Sequence, residues 1–360
     1  MPCAGQPGSD PDSYCGYTIN DNPYGVLPQT CATKEYFFEI TNTTISPDGI
    51  ERIGLVVNGQ MPGPLIEANW GDTIIVHVTN SLQNNGSTIH WHGQRQNNTN
   101  EMDGVASITQ CPIAPGDSMT YTFRADNYGF SWYHAHYAIQ AYEGVFGPML
   151  IHGPKSFEGD FEEQVVVLQD WSHVPVDEMY DASQSVGPTP EHGPRTMDTG
   201  LINGKNIWGQ DGAVGTTGER WSMDVVPGQT YLLRLLNSAI QSTFIFSIDG
   251  HSLQVVATDF VPIVPWTTNS LALNPGQRYD VLVTFSRLRA TTGSVPTSRT
   301  NAPAPSLGTT SRASSTTPAS PQAYQARPRR PTLQAATTSQ RRTSSPTSRW
   351  TRVPRKPARS

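Results

Sequence analysis

The sequence predicts an all-β protein, built from two tandem β-sandwich domains and followed by a disordered low-complexity tail. Two observations support this prediction. Up to residue 286, short segments that alternate apolar and polar side chains are separated by Gly, Pro and Asn turns, which is typical of half-buried strands. Beyond residue 286 the alternation stops, and Ser, Thr, Pro, Arg and Ala predominate.

The first sandwich is predicted at residues 31–154, after an N-terminal segment, residues 1–30, that contains cysteines. No helical periodicity competes there, and turn signals stand at Met61-Pro62-Gly63-Pro64 and Pro115-Gly116-Asp117. Regular short strands over such a length indicate a sandwich or barrel. The predicted strands are Tyr36–Thr41, Arg52–Val57, Thr73–Asn80, Met119–Arg124 and Pro148–His152.

The second sandwich is predicted at residues 155–286, where Pro227-Gly228 and Pro275-Gly276 turns repeat the pattern of the first. The Gly- and Pro-rich stretch 183–218 is predicted to be a loop, longer than most connections. The second domain is predicted to lack its last strand. The predicted strands are Gln164–Leu168, Thr230–Leu236, Phe244–Ile248, Leu253–Ala257, Asn269–Leu273 and Tyr279–Phe285.

The net charge of −6 combines two unlike parts of the chain. Residues 1–286 hold all 30 acidic residues and only ten basic ones, whereas residues 287–360 hold fourteen Lys and Arg. An acidic body favours an exported enzyme over a nucleic-acid binder. No stretch approaches the roughly 20 apolar residues that cross a membrane. We therefore expect binding to neither nucleic acid nor membrane. We also expect a monomer.

Cysteines and sequons give mild support for secretion, although the start of the chain has no signal-peptide pattern. The asparagines Asn42, Asn85 and Asn97 each begin a glycosylation sequon, in contexts that resemble loops. Three cysteines fall within the first 31 residues, as in a disulfide-clamped N-terminus. The four cysteines, which allow three pairings, are Cys3, Cys15, Cys31 and Cys111.

Two His-x-His pairs are the main candidate for a functional site: His90 with His92, and His134 with His136. Alternate side chains of a strand share one face, about 7 Å apart, so the imidazoles of each pair can converge. Imidazole binds Cu, Zn, Fe or Ni, and an all-nitrogen set favours copper. A lone His is usually structural, but two aromatic-flanked pairs in one domain favour metal binding. The isolated histidines, taken as structural, are His77, His152, His173, His192 and His251.

The pairs belong to a set of segments in which the chain resembles fungal laccases of the ascomycete type, within the multicopper oxidases. The resemblance covers about residues 15–285. The matching segments are the two histidine pairs, Asn58-Gly59 with Pro62-Gly63-Pro64, Asn69-Trp70-Gly71-Asp72, Asp103-Gly104, Thr109-Gln110-Cys111-Pro112-Ile113, Ser131-Trp132-Tyr133, Phe246-Ser247-Ile248-Asp249 and Gly276-Gln277-Arg278-Tyr279-Asp280.

The resemblance implies cupredoxin-like Greek-key domains, three in the family, and copper as cofactor. A type 1 copper takes single electrons from phenolic substrates, and a trinuclear cluster reduces O2 to water. By motif position, His90 would bind the type 2 copper, His92 and His134 one type 3 copper, and His136 the other. Asp103 matches a carboxylate credited with relaying protons, although a turn residue before Gly104 is an equal interpretation.

The chain departs from the family pattern after the second domain. The family takes its remaining cluster ligands and its type 1 site from C-terminal His-x-x-His-x-His and His-Cys-His motifs. Here no cysteine follows Cys111 and no histidine follows His251. Cys111 would be left a free thiol. We therefore expect a truncated, inactive chain that takes up little stoichiometric copper and shows no blue absorption.

The genetic code shows whether another reading frame of the tail could encode sequence that resembles the family. Read from the third base of each codon, residues 290–296 permit Asp-Asn-Trp-Val-Arg-Ala, which resembles a closing strand of the family's second domain. We hypothesise a frameshift or unspliced intron between Phe285 and Ala290, so that the tail is an artefact of translation. Translating the other downstream frames tests this, since it requires a His-Cys-His segment in one of them.

Other functions remain open at this stage. Ascorbate oxidase or ferroxidase specificity is compatible with the same histidines. A two-domain multicopper oxidase would carry His-Cys-His in its own sequence. A non-catalytic copper-binding secreted protein, with the basic tail as a polyanion anchor, is the alternative from another class.

Overall fold

The structure, a computed structural model, describes residues 13–184, 197–285, 291–295 and 311–316. Within these residues the protein is almost entirely β, as predicted. The strands of the N-terminal half are β1 (Ser13–Tyr14), β2 (Tyr17–Thr18), β3 (Thr33–Ile45), β4 (Arg52–Val57), β5 (Ile66–Asn69), β6 (Thr73–Asn80), β7 (Ile89–Trp91), β8 (Ser118–Arg124), β9 (Gly129–Ala135) and β10 (Phe146–His152).

Two four-stranded sheets make up the first sandwich, in the orders β4-β3-β6-β8 and β5-β10-β9-β7. In β6 every second side chain, from Ile74 to Asn80, is fully buried, which is the alternation expected when one face of a strand covers a core. The core between the sheets is rich in aromatic residues and includes Trp70, Trp91 and Tyr121. A 3-10 helix, Asn100–Met102, and a one-turn helix α1, Gln140–Glu143, lie in the connections.

The second sandwich is built around a six-stranded sheet in the order β12-β11-β16-β21-β18-β19. A helix α2, Val176–Gln184, follows its first strand. The strands of this half are β11 (Glu162–Trp171), β12 (Thr199–Ile202), β13 (Ile207–Trp208), β14 (Thr217–Gly218), β15 (Ser222–Asp224), β16 (Thr230–Asn237), β17 (Phe244–Phe246), β18 (Leu253–Thr258), β19 (Val261–Thr268), β20 (Leu271–Leu273), β21 (Arg278–Thr284), β22 (Thr291–Val295) and β23 (Ser311–Thr316).

The two sandwiches meet through a separate apolar cluster. It joins side chains of β9 and β10 to side chains of β11 and β16, and its members are Phe130, Trp132, Phe146, Val167 and Leu236. Phe130 and Trp132 belong to β9, the neighbour of β7, and Phe146 belongs to β10, the next strand of the same sheet. The second sandwich therefore packs beside the strands that carry the predicted histidine pairs.

The structure corrects several details of the sequence prediction. Within the described part of stretch 183–218, the predicted loop contains β12, β13 and β14. Helix α2 and strand β19 were not predicted; β19 is mostly exposed and contains two prolines, so it lacks the expected alternation.

The described residues beyond 286 form β22 and β23. β22 pairs with β23, and β23 pairs with β15.

Candidate metal centre

The predicted histidine pairs lie side by side because β7 and β9 are antiparallel neighbours. Their register places His90 directly opposite His134, between the pairs Ile89–Ala135 and Trp91–Tyr133. Directly opposed residues project from the same face of a sheet. The two pairs, 42 residues apart in the chain, are thus joined by one backbone pairing.

Only the first histidine of each pair lies within a strand. β7 ends at Trp91 and β9 at Ala135, so His92 and His136 are the first residues beyond the strand ends. The backbone N–H of His92 still donates to the carbonyl of Trp132, at 3.1 Å. The prediction that both members of each pair sit in a strand is therefore wrong by one residue, although His92 remains tied to β9.

Three imidazoles converge. One nitrogen each of His90, His92 and His134 lies within 4.8 Å of the other two. The shortest separation joins Nδ1 of His92 and Nε2 of His134, at 3.3 Å. Two nitrogens bound about 2.0 Å from one metal ion at a tetrahedral angle are roughly 3.3 Å apart. The separation of the His92 and His134 nitrogens therefore fits two ligands of one nitrogen-preferring metal ion, with a His90 nitrogen within 4.8 Å of both.

The fourth histidine stands beside this group. The ring centroid of His136 is 5.5 Å from that of His90 and 6.1 Å from that of His134. His136 is exposed, whereas the other three are half-buried. It therefore borders the three-nitrogen group without belonging to it.

The loop that follows β7 in the chain fixes the ring of His90. Nδ1 of His90 is 2.8 Å from the carbonyl oxygen of Asp103 and 3.3 Å from its Oδ1. A ring nitrogen that donates to a carbonyl leaves the other nitrogen, here Nε2, as the one free to bind metal. Asp103 therefore orients His90 through its backbone, and its carboxylate lies within reach of the same ring.

Gly104 lets this loop approach β7. Its φ is +79°, and a Cβ at this position would lie only 1.8 Å from the carbonyl oxygen of Ile89. Both the positive φ and the close contact require glycine. The Asp103-Gly104 sequence, which alone could have been an ordinary turn, is thus a close contact that places Asp103 beside His90.

Burial favours the neutral form of His90, His92 and His134. It lowers the pKa of His92 and of His134 to about 3, and it also lowers the pKa of His90. The positive charge of Arg278 lowers the pKa of His92 further. Neutral imidazole is the form that binds metal. The site is therefore ready to bind metal even in mildly acid surroundings.

Trp132 forms one wall of the site. Its ring centroid is 4.1 Å from that of His134 and 5.4 Å from that of His92, tilted by 33° in both cases. The indole is itself buried in the cluster that joins the two sandwiches. The rings of both histidines are thus backed by a large apolar side chain.

The second sandwich also contributes to the site. The residues involved, Gly276 and Arg278, belong to a segment that resembles the family, but the sequence analysis assigned them no role. A Cβ on Gly276 would lie 3.6 Å from Cε1 and 3.9 Å from Nε2 of His92. This edge of the ring therefore faces the Pro275-Gly276 turn, and Nδ1 faces His134. Arg278, at the start of β21, lies close by and donates to the carbonyl of Phe130 in β9.

The other described histidines pair with protein groups outside this cluster, as predicted. His77 contacts Glu35, His152 contacts Glu67, and His173 contacts Asp48, each through Nε2 at 2.7–2.8 Å. Nδ1 of His251 lies 2.9 Å from the carbonyl of Asp249. His192 lies outside the described residues.

The cysteines and sequons are partly located. Cys15 is disulfide-bonded, whereas Cys31 and Cys111 are exposed free thiols. The sequon residues Asn42, Asn85 and Asn97 are all exposed. Asn42 lies in β3 and not in a loop, which corrects the sequence prediction. Within the described residues, no helix is long and apolar enough to cross a membrane.

Two family models, both described as multicopper oxidase, match the chain at residues 39–156 and 162–311. Laccase-2 from Botryotinia fuckeliana is 45% identical over 271 residues, which make up 74% of this chain and 46% of that protein. The chain thus spans about half the length of the curated relatives it matches.

Solved structures give the same result. The laccase from Botrytis aclada superposes with a TM-score of 0.71 at 41% identity, over 80% of this chain and 52% of that one. Fet3p, described as a multicopper oxidase that functions in iron import, superposes with a TM-score of 0.70 at 29% identity, over 79% of this chain and 52% of that one. These similarities confirm the predicted cupredoxin-like sandwiches.

Proposed function

Because the chain belongs to the multicopper oxidase family, we propose that its histidine pairs form the N-terminal half of a laccase-type trinuclear copper site. The observation that supports this most directly is the convergence of His90, His92 and His134. The proposed activity of the whole oxidase is one-electron oxidation of phenolic donors, coupled to reduction of O2 to water. The chain alone supplies one part of that machinery, and the activity needs ligands beyond the four histidines.

The ligand roles are proposed from motif position, and the ring orientations support them. Nδ1 of His92 and Nε2 of His134, 3.3 Å apart, would share one type 3 copper. His90, whose Nδ1 is held by Asp103, would offer Nε2 to the type 2 copper. His136, outside the three-nitrogen group, would serve the second type 3 copper. Reduction of dioxygen is the chemistry that copper bound here would supply.

The protein itself holds the ligand rings in place, covers them with an apolar side chain and supplies a proton. Asp103 and Trp132 hold the rings in place before metal binds, which lowers the cost of assembling the site. The carboxylate of Asp103 is one-quarter exposed and its Oδ1 lies 3.3 Å from Nδ1 of His90. It can therefore take a proton from solvent at Oδ1 and release it at the edge of the cluster.

Copper binding by the chain alone can be measured. The small number of ligands predicts little bound copper, and the nitrogens of His92 and His134, 3.3 Å apart, favour one ion at most. Anaerobic Cu(I) titration with a competing chelator should give at most one ion per chain, with affinity lost in His134→Ala and retained in His77→Ala. Equal affinity in these two variants would contradict the proposed site.

A ferroxidase is the second candidate, because Fet3p has nearly the same TM-score as the laccase. The laccase is favoured because its sequence identity is higher, 41% against 29%. Oxidation of phenols and of Fe(II) by the whole oxidase would separate the two candidates.

We also propose export from the cell. The disulfide at Cys15 requires an oxidising compartment to persist, and all three sequon asparagines are exposed. The phenolic donors and O2 would then be met outside the cell.

A further inference from the structure

We propose that Arg278, in the second sandwich, is a positioning residue for the metal-ligating His92: it anchors the Gly276 turn against the first sandwich and so sets which edge of the His92 ring faces the metal. This inference rests on the proposed function, because it takes His92 as a ligand. It goes further in giving the second sandwich a role in shaping the copper site.

Arg278 is placed to act as a bridge. Its side chain is 5% exposed, and its Nε donates to the carbonyl of Phe130 at 3.2 Å, in the strand that carries His134. Its Nη1 donates to the carbonyl of Gly276 at 2.9 Å. One guanidinium thus ties the turn of the second sandwich to β9 of the first, and its rigid fork suits two acceptors at once.

A carboxylate and an aromatic ring fix the guanidinium. Oδ1 of Asp259 lies 2.9 Å from Nη1 in an ion pair, and it accepts from the backbone N–H of Arg278 at 3.1 Å. The guanidinium carbon lies 5.3 Å from the ring centroid of Phe260, within the range of a cation–π contact. Arg278 therefore has its position set from within its own domain before it reaches β9.

Phe260 and Arg278 also lie close to Gly93, the residue after His92. A Cβ on Gly93 would lie 2.6 Å from Cε2 of Phe260 and 3.5 Å from Nη2 of Arg278. Gly93 has φ +82°, so its small size and its backbone conformation both serve this contact. The turn that contains His92 and Gly93 therefore packs against Phe260 and Arg278.

The consequence for His92 follows from where its ring edges point. The Cε1–Nε2 edge lies against Gly276, and Nδ1 is left facing His134. If the turn moved away, the ring could rotate about its χ2 bond, because such terminal torsions are broad. The short contact between Nδ1 of His92 and Nε2 of His134 would then be lost.

The test uses the full metal-free chain, isotope-labelled at histidine and glycine. We expect a nuclear Overhauser contact between Hε1 of His92 and Hα of Gly276 in the parent, and its loss in Arg278→Met. Arg124→Met is the matched control, since Arg124 also anchors backbone carbonyls, those of Gly71 and Pro28, within the first sandwich. The contact should persist there.

Copper affinity gives a second readout. Cu(I) should bind roughly 10-fold more weakly to Arg278→Met than to the parent, as is typical when a residue that orients a ligand is removed. If Arg278→Met does not fold, Arg278→Lys replaces it, because lysine keeps the charge but not the two-acceptor fork.

An unchanged His92–Gly276 contact in the Arg278 variant would overturn the proposal, as would equal loss in Arg124→Met. Because the contact is measured without metal, a parent chain that binds no copper would refute the proposed function and leave this result intact.

Discussion

His90 and His134 lie directly opposite each other on β7 and β9, with ring centroids 5.3 Å apart. This single pairing brings two distant sequence motifs into one site. Three further contacts position the rings. Asp103 orients His90, the ring of Trp132 packs on that of His134, and the Gly276 turn of the second sandwich lies against His92.

Gly104→Ala should disturb the site through the loop that carries Asp103. A Cβ there would lie 1.8 Å from the carbonyl of Ile89, so the loop must move away from β7. We expect a loss of about 1–3 kcal/mol in the free energy of unfolding from this overlap, in addition to about 1–2 kcal/mol for the positive φ. Urea unfolding measures both.

Gly116→Ala is the control for this change, because Gly116 has φ +83° and no atom within 4 Å of the Cβ position. It should show the backbone effect alone and leave Cu(I) affinity unchanged. Equal losses in the two variants would mean that the Ile89 contact is unimportant.

Asp103→Asn should retain copper affinity. The carbonyl of Asp103, which the substitution keeps, accepts the closer contact from His90, at 2.8 Å against 3.3 Å for Oδ1. The proposed proton relay needs the carboxylate, so O2 reduction by the whole oxidase should slow. Asp117→Asn, at an exposed turn, is the control for a lost surface charge. A large fall in copper affinity would contradict this division of roles.

Arg52→Met should strongly destabilise the chain. Nη1 of Arg52 contacts Oε2 of Glu143 at 2.5 Å, and both side chains are at most 5% exposed. Removing one partner leaves the other charge buried, which costs about 3–5 kcal/mol. The double variant Arg52→Met with Glu143→Gln should recover part of the loss in urea unfolding. No recovery would show that packing on Trp171, and not charge, dominates.

Asp280 should make stability fall as pH rises. Burial raises its pKa to about 6, and its Oδ1 has no hydrogen-bond partner among the described residues. The folded chain then binds this proton more tightly than the unfolded chain, so the contribution is complete below the ordinary aspartate pKa of about 3.9. It is lost as pH rises through about 6.

The measurement is the difference in Tm between the parent and Asp280→Asn, taken from acid to neutral pH. Because other carboxylates affect both proteins alike, the difference should move in favour of the variant as pH rises. A constant difference would mean that Asp280 has an ordinary pKa in the folded chain.

Glycosylation should mark the secreted protein. Treatment with an N-glycosidase is expected to lower its mass, and Asn97→Gln should remove one glycan, since Asn97 is exposed in a turn. Ser87 of the Asn85 sequon is fully buried, so Asn85 should be the least occupied of the three sites. Unmodified protein in the medium would contradict the proposed export route.

Much of the fold was predictable from alternation. The predicted bounds of Arg52–Val57 and Thr73–Asn80 match β4 and β6 because each covers the core with one face. Strands of two to four residues, such as β5 and β12, carry too few side chains to show a period. Helix α2 was missed in the second sandwich, where strand patterns predominate.

The sequence by itself determined the all-β class, the family resemblance and the identity of the four histidines, because these depend on residue type and local spacing. Only the tertiary structure decided how the histidines meet. The β7–β9 register, the approach of Gly104 to Ile89 and the bridge from Arg278 to Phe130 join residues that are far apart in the chain. Such contacts arise from packing between strands and domains, so they cannot be predicted from the local spacing of residues.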